Sequence, residues 1–360
     1  MNLSPAFVNS GPDLPAGLSL GDPAVLLSLS PLHLLFAGTE AVVVFFVLSG
    51  LVLTGPAWRR DGRLALAPYY AKRLPRLYLP TIAGVLLAVV VLSAVDRSPV
   101  PGSVWINGAS GPITAGDVVG DALLVNEGET NRVLWSLQLE VLFSLLLPVA
   151  LRILWALRRR RVLVAVVLVG ASLVGVVAGW RLLAWMPMFG FGMLLAASGP
   201  ELEAAARWLD ERRAWWLVLV ATLLLLTFRW WTRGVALELA PSLVPRLWNV
   251  GLFPIALGAT LAVFVAHHHA RTAALLGRRP VQFLGMISFS LYLVHEPIVV
   301  AGGFLAGRFH LGAVLVTLVV ALVVAVVFHR LVERPSQRVA AWSAEAVTRL
   351  RAPAATLDGR

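Results

Sequence analysis

Apolar segments long enough to cross a hydrocarbon layer recur along this chain, and they leave few folds open. Residues 311–328 read LGAVLVTLVVALVVAVVF without one charge. A helix needs about 20 such residues to span a bilayer core. Backbone groups find no water there, so only helices and closed barrels can cross. The runs are continuous rather than alternating, which excludes a β-barrel. A single soluble domain could not hide 59% hydrophobic residues with only 14% charged. The expected fold class is therefore all-α, a polytopic transmembrane helical bundle.

Nine spans are expected, at residues 38–55, 77–95, 133–151, 162–178, 182–197, 214–228, 249–266, 281–302 and 311–329. Span 182–197 is short and interrupted by Pro187 and two glycines. Residues 1–37 carry no Lys or Arg and no signal-peptide core, and their Gly11-Pro12, Leu14-Pro15, Asp22-Pro23 and Ser30-Pro31 steps read as a loop-like tail. Loops after the odd-numbered spans hold 23 Arg and Lys, against 7 in the leading tail and the other loops. Basic loops stay in the cytoplasm. The chain is thus expected in the cell membrane, multi-pass, with the N-terminus outside and the C-terminus cytoplasmic. Residues 38–335 form the membrane domain in this reading, and 336–360 a cytoplasmic tail. The loop Asp96–Arg132, with five acidic residues, would lie outside.

The formal charge of +11 does not make a nucleic-acid binder, because the basic residues are spread over short loops between spans. With no cysteine there is no thiol nucleophile, disulfide or cysteine-based metal site. Lys72 is the lone lysine among 30 basic residues, a composition typical of GC-rich bacterial genomes.

Glu140 and His295 interrupt otherwise apolar spans, and ionisable groups at membrane depth mark functional sites by default. Ser136 and Glu140, four apart, share a helix face, with Trp135 beside them. Glu140 falls about 10 Å from the outer start of its span and His295 about 21 Å from an inner start, so both are expected in the outer half. Glu296-Pro297 is expected to break the helix beside His295. Arg73 and Arg76 stand where a span begins on the basic side, and guanidinium pairs chelate phosphate well. Membrane anchoring accounts equally for their spacing. Ser49-Gly50 suits close helix packing. Arg158–Arg161 is an orientation signal. His267-His268-His269 cannot all face one ion from one helix, so no metal is expected.

In their order, Phe45-Phe46-Val47-Leu48-Ser49-Gly50, Arg73-Leu74-Pro75-Arg76, Trp135-Ser136-Leu137-x-x-Glu140, Gly285-x-x-Ser288-x-x-Leu291-Tyr292-Leu293-x-His295-x-Pro297 and Glu333-Arg334-Pro335 resemble the acyltransferase-3 family of membrane acyltransferases. The resemblance covers residues 38–335. It implies transfer of an acyl group, often acetyl, from acyl-CoA as co-substrate to sugars of surface polysaccharide, peptidoglycan or lipid-linked glycan; some members modify antibiotics. No cofactor would be bound permanently. Membrane lipid, acyl-CoA and a carbohydrate acceptor are the implied partners. Glu140 and His295 would be catalytic, Arg73 and Arg76 would hold the donor, and Ser49, Trp135, Ser136 and Tyr292 would line the acceptor cavity.

Family members typically have ten core spans, the first carrying an Arg, ten residues and then a His essential to the chemistry. This sequence has no match to that segment, so it is expected to lack the first helix, and residues 1–37 resemble the external loop that follows it. His33 sits outside that pattern and does not inherit the role. Two other readings stay open: a transporter or flippase for a lipid-linked sugar, and a catalytically inactive remnant.

Overall fold

The computed structural model describes residues 29–100, 104–307 and 311–351. Most of the expected N-terminal tail, residues 1–28, and residues 352–360 lie outside the described residues. Among the described residues every regular element is helical. The main helices are α1 (Gly38–Trp58), α2 (Leu66–Ser93), α3 (Leu134–Ala156), α4 (Arg161–Ala178), α5 (Arg181–Ala197), α6 (Gly199–Glu211), α7 (Trp215–Leu226), α8 (Phe228–Leu239), α9 (Val244–Val250), α10 (Leu252–His268), α11 (Arg279–Ala306), α12 (Leu311–Phe328) and α13 (Arg334–Arg351). Seven helical stretches are long and apolar enough to cross a membrane, or up to nine if α5 with α6 (bent by 79°) and α7 with α8 (bent by 65°) each count as one span. The chain is a multi-pass membrane protein.

Two compact units divide it, each drawn from distant sequence. Among the described residues, one comprises 64–148 and 284–351, the other 29–63 and 149–283.

In the second unit, α1 packs on α5 through glycine. A Cβ at Gly50 would overlap the carbonyl of Phe189, and one at Gly192 would overlap the carbonyl of Val47. Backbones this close need residues without side chains, the usual device where helices meet in lipid. Phe46 stacks on Phe189 beside the crossing, with ring centroids 4.4 Å apart. Ser49-Gly50 therefore serves the close packing its sequence suggested.

In the first unit two helices differ from expectation, and two further segments pack against it. α2 begins at Leu66, eleven residues before the expected span, so Tyr69–Arg76 is helix and Pro75 does not end it. α11 runs unbroken through Pro297. Helix α13, within the segment read as a cytoplasmic tail, packs along α2. Glu333, Ser336 and Ala340 are buried, a stripe at helical spacing that explains the docking.

The loop Asp96–Arg132 folds back against its own unit. Its short helix Ala115–Ala122 packs on α2, and Leu124 is buried in a core with Leu77, Val85, Leu134 and Leu137. Buried Asp121 holds the return, accepting hydrogen bonds from the backbone N–H groups of Glu129 (3.1 Å) and Thr130 (2.6 Å). An acidic residue read as a marker of the outer face thus satisfies backbone donors inside the unit.

Candidate active site

Two prolines determine how the polar groups of the first unit are arranged. A proline within a helix lacks the N–H that would bond the carbonyl four residues back. In α3, Pro148 leaves the carbonyl of Ser144 without that donor, and the Tyr69 hydroxyl of α2 supplies one at 3.0 Å. In α11, Pro297 likewise leaves the carbonyl of Leu293, which accepts from Asn131 Nδ2 at 2.8 Å. The expected break beside His295 is absent because a side chain replaces the missing donor, as lipid-embedded helices require.

One turn along α2 from Tyr69, Arg73 reaches the same stretch of α3. Its Nε donates to Ser144 Oγ at 3.0 Å, and its Nη2 donates to Glu140 Oε1. Ser144 Oγ in turn donates to the Glu140 carbonyl at 2.8 Å. The side chains of Arg73 and Glu140 are 11% and 4% exposed, so the ion pair is buried. Burying either charge alone would cost several kcal/mol, roughly 3–5, which is why both are there together.

This pairing corrects the expected geometry. Arg73 does not stand at a separate mouth from Glu140. The two share one level, six residues or ~9 Å into α3 from Leu134. The arginine pair is also divided, because Arg73 is engaged with the carboxylate while Arg76 is exposed.

A turn from Glu140, buried Ser136 meets Tyr292 of α11 through their hydroxyls. Both hydroxyls also reach the carbonyl of Val133, Tyr292 at 2.8 Å and Ser136 at 3.2 Å. His295 lies three residues further on, its ring centroid 5.9 Å from that of Tyr292. Its Nδ1 is 2.9 Å from the carbonyls of both Leu291 and Tyr292. Carbonyls only accept, so Nδ1 carries a proton, and in the neutral form of the ring Nε2 would present a lone pair. Thus Glu140, Ser136, Tyr292 and His295 form a polar seam between α3 and α11, with Trp135 half-buried at its start. Ser49 is carried by α1 in the other unit.

Sequence reasoning did not find the partners of two further buried carboxylates. Glu296, read only as part of a helix break, accepts from Arg132 Nε at 2.9 Å. Arg132 Nη1 donates to the Trp105 carbonyl at 2.7 Å, and its guanidinium lies 4.3 Å from the indole centroid. Glu333 accepts from Ser290 and, at 3.0 Å, from His329 and Gln337. It closes a π-helical turn, His329–Glu333, where one extra residue is accommodated just before Pro335. Glu296 and Glu333 are charges in or beside apolar runs, the same signal that picked out Glu140. Among the described residues, no group of three His, Cys, Asp or Glu side chains stands together as a metal site would need.

The acyltransferase domain family matches residues 12–330 of this chain. The chain belongs to the acyltransferase-3 family. Its match reaches back into the segment read as a tail, and it spans both compact units. Acyltransferase MdmB of Streptomyces mycarofaciens is 28% identical over 343 residues, covering 85% of this chain and 83% of that protein. No solved structure matches the chain. As a family member the chain is a membrane acyltransferase, and the seam just described lies on the motif residues of α2, α3 and α11.

Proposed function

We propose that the protein transfers an acyl group from acyl-CoA, acetyl-CoA in the simplest case, to a hydroxyl of a carbohydrate acceptor such as a cell-surface glycan. The observation that carries this reading is the buried Arg73–Glu140 pair, with Ser136 one turn from Glu140 bonded to Tyr292, whose ring centroid lies 5.9 Å from that of His295. A structural ion pair alone would not explain a polar seam that continues to an imidazole. Acyl transfer needs a group that takes the hydroxyl proton as attack begins.

In this reading His295 Nε2 accepts the proton from the acceptor hydroxyl. The hydroxyl oxygen attacks the thioester carbonyl, the carbon–sulfur bond breaks, and the proton passes to the departing CoA thiolate. Glu140, fixed by Arg73, orients the acceptor through its carboxylate, and Ser136 with Tyr292 lines the cavity. Arg76, exposed on α2, is the guanidinium left to meet donor phosphates. In this reading the basic loops, and the donor side with them, face the cytoplasm of the cell membrane.

The test is transfer of labelled acetyl from acetyl-CoA to saccharide acceptors by the full chain in lipid. Labelled saccharide is expected, and His295→Ala should cut turnover by at least ~100-fold. Passage of a lipid-linked sugar across the bilayer with no labelling would overturn the proposal in favour of transport.

A further inference from the structure

A second polar feature lies in the other unit. At one end of that unit, the C-terminal ends of α1 and α10 and the junction of α5 with α6 enclose a cleft of about 500 Å³. Small-molecule pockets run from roughly 300 to 1,000 Å³. Its floor is apolar, formed by Leu51 of α1, Leu195 of α5 and Phe264 of α10. Its far end is charged. Arg59, Glu203, His267 and His268 line it together, and the Arg59 guanidinium folds back to within 3.7 Å of where a Cβ on Gly55 would stand. Glu203 and His268 are close enough to interact electrostatically.

The rim decides what can enter. Leu48 and Val52, on the same helix as the floor, are 44% and 59% exposed, and in a membrane-spanning helix such positions face hydrocarbon. An occupant therefore arrives sideways from the bilayer with its apolar part first. The head-group end offers one guanidinium, Arg59, and two imidazoles able to hydrogen-bond, next to one carboxylate. That pattern matches a phosphate and an ammonium held on the same molecule. A donor carrying several phosphates would set part of its charge against Glu203, and a purely anionic lipid would leave that carboxylate unmatched.

We propose that this cleft is a binding site for a phospholipid of the phosphatidylethanolamine type. One acyl chain lies over Leu51, Leu195 and Phe264. The phosphate meets Arg59 and His267 or His268, and the ammonium meets Glu203. The site is independent of the acyl-transfer seam.

The full chain, reconstituted in mixed-lipid nanodiscs, is labelled with phosphatidylethanolamine bearing a diazirine in its acyl chain, and the labelled peptides are mapped. Label is expected to concentrate at residues 48–55 and 195–202. Unlabelled phosphatidylethanolamine should compete about tenfold better than phosphatidylglycerol, the scale of one charge-assisted contact. Glu203→Lys should reverse that preference, and Arg59→Glu should weaken labelling by both. Both residues are exposed, so these variants keep the fold, whereas a floor variant such as Leu51→Trp risks losing it. Label spread evenly over lipid-facing helices, competition blind to the head group, or displacement by micromolar acetyl-CoA would each overturn the proposal.

Discussion

Arg73→Ala isolates the energetic role of the buried ion pair. The substitution leaves the Glu140 carboxylate in a position where its side chain is only 4% exposed, and it also removes the donor to Ser144 Oγ. At close range and an effective dielectric of about 20, the lost attraction alone is roughly 4 kcal/mol. Measured losses on breaking buried pairs run about 3–5 kcal/mol, so that range is expected here. Glu140→Gln should cost less, about 1.5–3 kcal/mol, because the amide oxygen still accepts from the guanidinium while the charge is lost. The double variant should then be at least ~1.5 kcal/mol more stable than the sum of the singles, since no unpaired charge remains. Arg73→Lys should not restore the parent, because an ammonium cannot serve Ser144 and Glu140 in one planar fork. The assay is reversible unfolding in lipid–detergent bicelles for the parent, both singles and the double. Costs that add to within ~0.5 kcal/mol would show the two side chains to be uncoupled, and the central contact of the site would be refuted.

Three further outcomes follow from particular contacts. Asn131→Ala should cost about 1–3 kcal/mol by orphaning the Leu293 carbonyl, and Pro297→Ala in that background should recover most of it by restoring a backbone donor; no recovery in unfolding midpoints would mean that the carbonyl is not what Asn131 serves. Gly50→Val should abolish the monodisperse folded species in size-exclusion chromatography, because the side chain collides with the Phe189 carbonyl and costs more than ~4 kcal/mol; a normal profile would contradict the α1–α5 crossing. Arg76→Ala should raise the apparent KM for acyl-CoA about tenfold while kcat stays near the parent value, and an unchanged KM would remove this guanidinium from the donor site.

How much of this was legible beforehand varies with the element. The span at 162–178 and helix α4 differ by a single residue at the start. In this run the apolar stretch and the helix coincide. At α2 they do not, since the apolar run begins near Leu77 but the helix begins at Leu66. Tyr69 and Arg73 occupy the extra turns and bond α3, so polar residues that look like a loop are helical because of a partner about 70 residues away. Glu140 and His295 stood out as charges in apolar runs. Glu296 gave the same signal and was read as a helix break, because the neighbouring proline suggests one and Asn131, 162 residues from Leu293, gives no local hint of the rescue.

What the chain alone determined is its class: helical, membrane-crossing and of the acyltransferase-3 family. Each crossing helix closes its own backbone hydrogen bonds within a continuous apolar run, and both the run and the family motifs are contiguous in sequence. The tertiary structure decided which charge meets which. Arg73 could have faced the aqueous boundary and Glu140 another helix, and nothing in spacing along either segment distinguishes those cases. The cost of an isolated buried charge selects the arrangement in which they meet, and that cost exists only once the helices have packed.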